Sequence, residues 1–232
     1  MKYDVIIVGA GPGGIYSAYE LMKKCSDKKI AVFDSGYSLK KRHCPIDGEK
    51  VKACIKCKSC SIMSGFGGAG AFSDGKYNIT NDFGGTLYEY IGKKAATELM
   101  QYVDDINMAH GGEGTKMYST AGTNLKKVCL QNRLKLLNAS VRHLGTDINL
   151  VVLGRLYDEL KEHVDFYFES PVSHIECLEN GGYRVWSNDK SYDCEKCIVS
   201  VGRSGSKWME HICKELDIPT KSNRVDLGVR VE

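Results

Sequence analysis

No run of apolar residues in the 232-residue chain approaches the ~18 that a bilayer-spanning helix needs. The first apolar run, Val5 to Val8, is too short for the core of a secretory leader, and no cleavage site follows it. Charge of one sign is scarce as well. Lys and Arg number 32 against 29 Asp and Glu, which leaves a formal net charge of +3 with the signs interleaved. There is no basic stripe to grip nucleic acid and no acidic tail. Internal repeats and low-complexity linkers are missing too. The expectation is a cytoplasmic globular chain that handles a small-molecule substrate or electron acceptor, with neither nucleic acid nor membrane as partner. Oligomeric state is left open.

What is present is a core: 42% of residues are hydrophobic and 9% aromatic, enough for one large domain or two small ones. Tyr3 to Val8 reads as a strand, Gly9 to Gly14 as a tight turn, Ile15 to Lys24 as a helix and Ile30 to Asp34 as a second strand. This is a complete βαβ unit. Its apolar runs are nearly continuous, as expected for parallel strands covered on both faces. From Gly36 to Lys76 the chain is rich in Gly, Lys, Ser and Cys and has little periodicity. Such a segment is long for a plain loop and must be pinned by something other than a core.

Between Leu87 and Leu160 the pattern turns helical, with Leu99, Tyr102, Val103 and Ile106 on one face and Leu150, Leu153, Leu156, Tyr157 and Leu160 on another. After Val164 it alternates through a small antiparallel meander and returns in a buried run, Cys197 to Val201, that ends in Gly202-Arg203-Ser204-Gly205. The fold class is α/β and Rossmann-like: a parallel sheet with a small antiparallel meander and a helical insertion. Residues 1–85 and 160–215 would form the discontinuous binding domain with a cysteine-rich loop at 44–60. Residues 86–159 would be the mainly helical insertion, and 216–232 the start of a substrate domain that is cut short.

Gly9-Ala10-Gly11-Pro12-Gly13-Gly14 satisfies G-x-G-x-x-G between a strand and a helix. The first glycine permits the sharp turn, the second lets backbone N–H groups approach a pyrophosphate, and the third lets helix and strand lie close. The helix N-terminus then faces the phosphates with its partial positive charge. Asp34 ends the second strand 20 residues after Gly14, placed with Ser35 to meet ribose hydroxyls, and its charge disfavours a 2′-phosphate. The motif alone does not separate FAD from NAD.

Cys54-x-x-Cys57-x-x-Cys60, with Cys44-Pro45 upstream, is the second distinctive feature among ten cysteines. These four thiols suit a [4Fe-4S] cluster or a structural zinc. The competing reading is a set of free or redox-active thiols beside a cofactor. Cys194-x-x-Cys197 enters a strand and reads as core packing with one exposed thiol. The six histidines are scattered without ligand spacing, and no residue is assigned as catalytic.

With these features together, the sequence resembles the glutathione-reductase-like flavoproteins. Gly67 to Lys76 and Asp226 to Glu232 resemble, within that group, a family of FAD-dependent dehydrogenases of bacteria and archaea. The resemblance implies FAD as cofactor and admits NAD(P)H as electron donor. It implies Gly9, Gly11, Pro12, Gly13 and Gly14 at the pyrophosphate, Asp34 and Ser35 at the ribose, and Val172 pairing its backbone with adenine. Gly202 belongs to a second FAD contact region. Gly68, Ala69, Gly70, Ser73, Asp74, Gly75 and Lys76 would approach the flavin ring, where Asp74 or Lys76 would supply charge unless the two form only a solvated salt bridge. The function implied is an FAD-dependent oxidoreductase, or the N-terminal FAD-binding part of one, since relatives continue past Glu232 into a substrate domain. Two alternatives stand beside it: a non-catalytic nucleotide-binding fragment, and an NAD(H)-dependent enzyme.

Overall fold

A computed structural model describes residues 1–179 and 181–222; the expected resemblance at Asp226 to Glu232 lies outside them. The elements run β1 (Lys2–Val8), α1 (Pro12–Lys24), β2 (Ile30–Phe33), β3 (Lys76–Ile79), α2 (Tyr88–Ile91), α3 (Lys93–Asn107), β4 (Met117–Ser119), α4 (Leu125–Gln131), β5 (Ser140–His143), α5 (Thr146–Leu160), β6 (Val164–Tyr167), β7 (Val172–Cys177), β8 (Tyr183–Ser187), β9 (Lys190–Val199) and α6 (Ser206–Glu215).

Six strands form one sheet in the order β6-β2-β1-β9-β8-β7. β1 pairs in parallel with β2, from Val5↔Ile30 to Val8↔Phe33, and with β9, from Lys2↔Asp193 to Val8↔Val199. β7, β8 and β9 form the antiparallel meander. The last meander strand and the returning parallel strand are therefore one ten-residue element. Val5 and Ile7 pack under α1 and α5, against Ile15, Ala18, Leu153 and Leu156. Ile6 and Val8 pack on the other face against Val172, Ile175, Val185 and Ile212. Each such side chain contributes about 1.5–3 kcal/mol by leaving water, so a run that is apolar at every position is what two covered faces demand.

The segment 86–159 carries α2 to α5 together with two short strands. β3, β5 and β4 form a separate antiparallel sheet. α5 buries Val152, Leu153, Leu156 and Leu160, close to its expected face. α3 departs from expectation: Leu99 and Tyr102 are exposed, and the helix turns Ala96, Asp104, Ile106 and Asn107 inward. Asp104 and the Asn107 oxygen are satisfied across elements, while Asn107 Nδ2 has no partner among the described residues. Arg142 donates from Nε and Nη2 to Asp104 at 3.0 and 2.7 Å, and Tyr16 donates to Asn107 Oδ1 at 2.6 Å.

Glu159 ties α1 to α5. It pairs with Lys23 at 2.9 Å and with His110 Nε2 at 2.8 Å. His110, and then Lys23, hold its carboxyl below the ordinary value of 4.5. A depressed carboxyl stabilises the fold above its unfolded-state value, and that contribution disappears as pH falls through the folded value. Glu159→Gln is therefore expected to be less stable than the parent near neutrality and to lose less stability below pH 4.5, as thermal melts across that window would measure.

Candidate functional site

The turn between β1 and α1 is held by contacts that only glycine permits. Gly9 has φ +103° and its N–H donates to Phe33 O at 2.7 Å. A Cβ at Gly9 would lie 2.6 Å from Ser200 O, because the end of β9 presses on the turn, and one at Gly14 would lie 1.9 Å from Gly9 O. Gly11 is different. Its backbone is extended, and the nearest atom to an added Cβ is Gly68 Cα at 3.9 Å. Gly11 caps α1, Pro12 follows it, and no side chain caps the helix. The first-turn N–H groups thus face outward with their share of the helix dipole, as an anion site requires.

This turn forms one wall of a cavity of about 750 Å³, within the range usual for small-molecule sites. Of the residues expected from the sequence, Gly9, Gly11, Pro12, Gly13, Asp34, Ser35, Gly68, Ala69, Gly70, Val172 and Gly202 line it. Gly14 lies beneath the wall and sets the closeness of helix to turn. Asp34 faces the cavity with a carboxylate already fixed by the backbone: Oδ2 accepts from Ala10 N–H at 2.8 Å and Oδ1 from Gly36 N–H at 2.7 Å. Each oxygen retains a lone pair for a hydroxyl donor, so the fixed acid suits a ribose and repels a phosphate.

Gly67 N–H donates to Ala10 O at 2.8 Å and docks a second glycine segment beside the first. Asn149, itself buried on α5, donates to Gly70 O at 2.9 Å and holds the 3₁₀ turn Gly68–Phe72 in place. Ser73, Asp74, Gly75 and Lys76 lie past this turn and are not part of the cavity wall. Asp74 and Lys76 pair at 2.7 Å with side chains 55% and 53% exposed, the geometry of a solvated ion pair, which contributes at most about 1 kcal/mol.

The cysteine loop contributes Cys57, Lys58, Ser59 and Cys60 to the cavity wall. Among the described residues no group of three or more His, Cys, Asp or Glu side chains is placed to hold a metal ion. Cys44, Cys54, Cys57 and Cys60 are not gathered into a ligand set, so neither the cluster nor the zinc expected from their spacing is supported. What pins the loop is Arg42, a residue the sequence reading passed over. Its buried guanidinium donates to Ser61 O at 2.8 Å, Phe66 O at 2.6 Å and Ile62 O at 2.8 Å, and it stacks on Phe72 at 4.8 Å. Burial lowers its affinity for the proton, which Asp34 partly offsets. The signal was available: Arg42 is the one arginine among the many lysines of 36–76, and only guanidinium can serve three acceptors in a plane. At the other thiol pair, Cys194 is buried and Cys197 half-buried, so neither is the exposed thiol expected. Their mutual hydrogen bond, with burial, pushes the Cys197 thiol up.

Comparison with known proteins adds the fold. No protein-family model matches the chain. An uncharacterized protein of Clostridium beijerinckii is 24% identical over 234 residues, which is 100% of this chain and 37% of that protein. Among solved structures, glycine oxidase from Geobacillus kaustophilus aligns with a TM-score of 0.50 at 15% identity, over 93% of this chain and 58% of the oxidase. L-α-glycerophosphate oxidase from Mycoplasma pneumoniae, a structure with FAD bound, aligns with a TM-score of 0.50 at 16% identity, over 92% and 57%. The chain has the Rossmann-like FAD/NAD(P)-binding fold. It spans little more than a third of its sequence relative and under three fifths of these two oxidases.

The residues present fit a dinucleotide. An uncapped helix N-terminus, a glycine wall free of Cβ atoms and a fixed carboxylate open on one cavity. Two polar atoms of its wall residues, Ser59 Oγ and Trp208 Nε1, are shielded from solvent without a partner among the described residues. No described helix is long and apolar enough to cross a membrane.

Proposed function

We propose that this chain is the FAD-binding part of a flavin-dependent oxidoreductase of the glutathione-reductase-like group, acting on a small molecule in the cytoplasm with NAD(P)H as a candidate electron donor. The observation that carries the reading is the uncapped N-terminus of α1, walled by Gly11 and Gly68 and opening with Asp34 on one cavity. The fold shared with two oxidases supports it. So does the order of the chain, in which the βαβ unit comes first and a meander later returns to the parallel sheet beside it. Residues 1–85 with 160–215 form the binding domain in this reading, and 86–159 the insertion.

Within this proposal, Gly11, Gly13 and the first turn of α1 bind the diphosphate and Asp34 orients the adenosine ribose. Val172 and Gly202 bound the adenine end. Bound flavin supplies hydride and electron transfer, while the protein supplies position and exclusion of water. Gly68 to Gly70, braced by Asn149, direct the cofactor toward the insertion, where a substrate would approach.

Calorimetric titration with FAD, NAD⁺ and NADP⁺ tests the proposal. FAD is expected to bind tightest and NADP⁺ not to bind, because the Asp34 carboxylate opposes a 2′-phosphate. Tighter binding of NAD⁺ than of FAD would make the chain part of a nicotinamide-dependent enzyme. Binding of none of the three would remove the dinucleotide reading.

A further inference from the structure

Two cationic residues from separate segments line the cavity. Lys58 comes from the cysteine loop and Arg203 from the 3₁₀ turn Arg203–Gly205 that leads into α6. Among the described residues neither side chain makes an ion pair or hydrogen bond with protein. Among the described residues the one carboxylate on the wall, Asp34, is engaged by the Ala10 and Gly36 N–H groups and is not paired with either cation. The neighbouring Lys50, Lys52 and Lys56 are absent from the wall, so Lys58 is distinguished from the rest of its loop by position.

A helix N-terminus presents roughly half an elementary charge, whereas the bridging diphosphate of a dinucleotide carries one negative charge on each phosphate, about two in all, and the free diphosphate of ADP carries more. The glycine turn alone leaves that ligand undercompensated. We infer that Lys58 and Arg203 are the phosphate-recognising side chains of this cavity, supplying the full charges that the α1 N-terminus lacks and selecting ligands that carry a nucleotide diphosphate. The inference rests on the dinucleotide reading of the same site. It assigns the cysteine loop a purpose independent of metal: the loop, braced by Arg42, carries one of the two cations to the ligand.

The test is calorimetric titration of nucleotide-free protein with ADP, AMP and adenosine, for the parent, Lys58→Met, Arg203→Met and Arg203→Lys. Both residues are exposed, and melting temperatures are expected to match the parent. Each Met variant should weaken ADP binding about five-fold, as a partly screened charge contact does. AMP should lose less, and adenosine should bind as in the parent. Arg203→Lys should retain most of the ADP affinity. ADP affinity of the parent should fall as salt rises, with a flatter dependence in each Met variant. Unchanged ADP binding in the Met variants, or an equal loss for adenosine, overturns the inference while leaving the dinucleotide reading intact. A parent protein that binds none of the three ligands overturns both.

Discussion

Gly11→Ala is expected to weaken dinucleotide binding on the order of 100-fold in a chain that still folds. The backbone at Gly11 is extended (φ −76°, ψ −175°) and open to any residue, and the added methyl meets nothing closer than Gly68 Cα at 3.9 Å. Its cost to stability should stay within about 0.5 kcal/mol, since the conformation is allowed and the unfolded chain loses freedom. The methyl projects, however, where a diphosphate must approach the first turn of α1. FAD affinity should fall on the order of 100-fold, or roughly 3 kcal/mol. Gly14→Ala makes the opposite separation. Its Cβ would lie 1.9 Å from Gly9 O and 3.1 Å from Ser200 Oγ, both on packed elements. The strain of such overpacking is at least about 3 kcal/mol, so this variant should lose the fold itself. Melting temperature and FAD titration on the two variants distinguish a glycine kept for the ligand from one kept for the turn. A Gly11→Ala protein that binds FAD as the parent does would mean that the ligand does not pass over this turn.

Arg42→Met should cost about 2–4 kcal/mol, because three carbonyls lose a charged donor in a largely buried setting while the stem still covers Phe72. The carbonyls belong to Ser61, Ile62 and Phe66, the stretch that joins the cysteine loop to the Gly67–Gly70 wall. FAD binding should weaken along with stability. Arg42→Lys should recover little, since one ammonium on a flexible stem cannot reproduce the guanidinium fork. Denaturant midpoints compare the three proteins. A lysine variant as stable as the parent would show that the charge, and not the three-way geometry, holds the loop.

The βαβ unit was legible because its signals are local. Apolar runs, glycine spacing and Asp34 each depend on a few adjacent residues, and the parallel pairing of β1 with β2 follows from them. The meander was legible for the same reason, through alternation and turns. The α3 face was not. Periodicity weighs only apolar residues, and here Asp104 and Asn107 turn inward because Arg142 and Tyr16, 38 and 91 residues away, supply their partners. Nothing near α3 in the sequence announces those partners. The cysteine loop misled through spacing: C-x-x-C-x-x-C matches ligand patterns, yet a ligand set requires the thiols to converge, which is a property of the backbone path that Arg42 fixes. Ser200 was likewise invisible, since its role is to press on a turn 191 residues away.

The most direct test of the account is the absorption spectrum of the purified protein, followed by release and identification of any bound chromophore. The account predicts the two bands of an oxidised isoalloxazine, one FAD released per chain, and less of both in Gly11→Ala. A colourless parent protein that also fails to take up added FAD would contradict it.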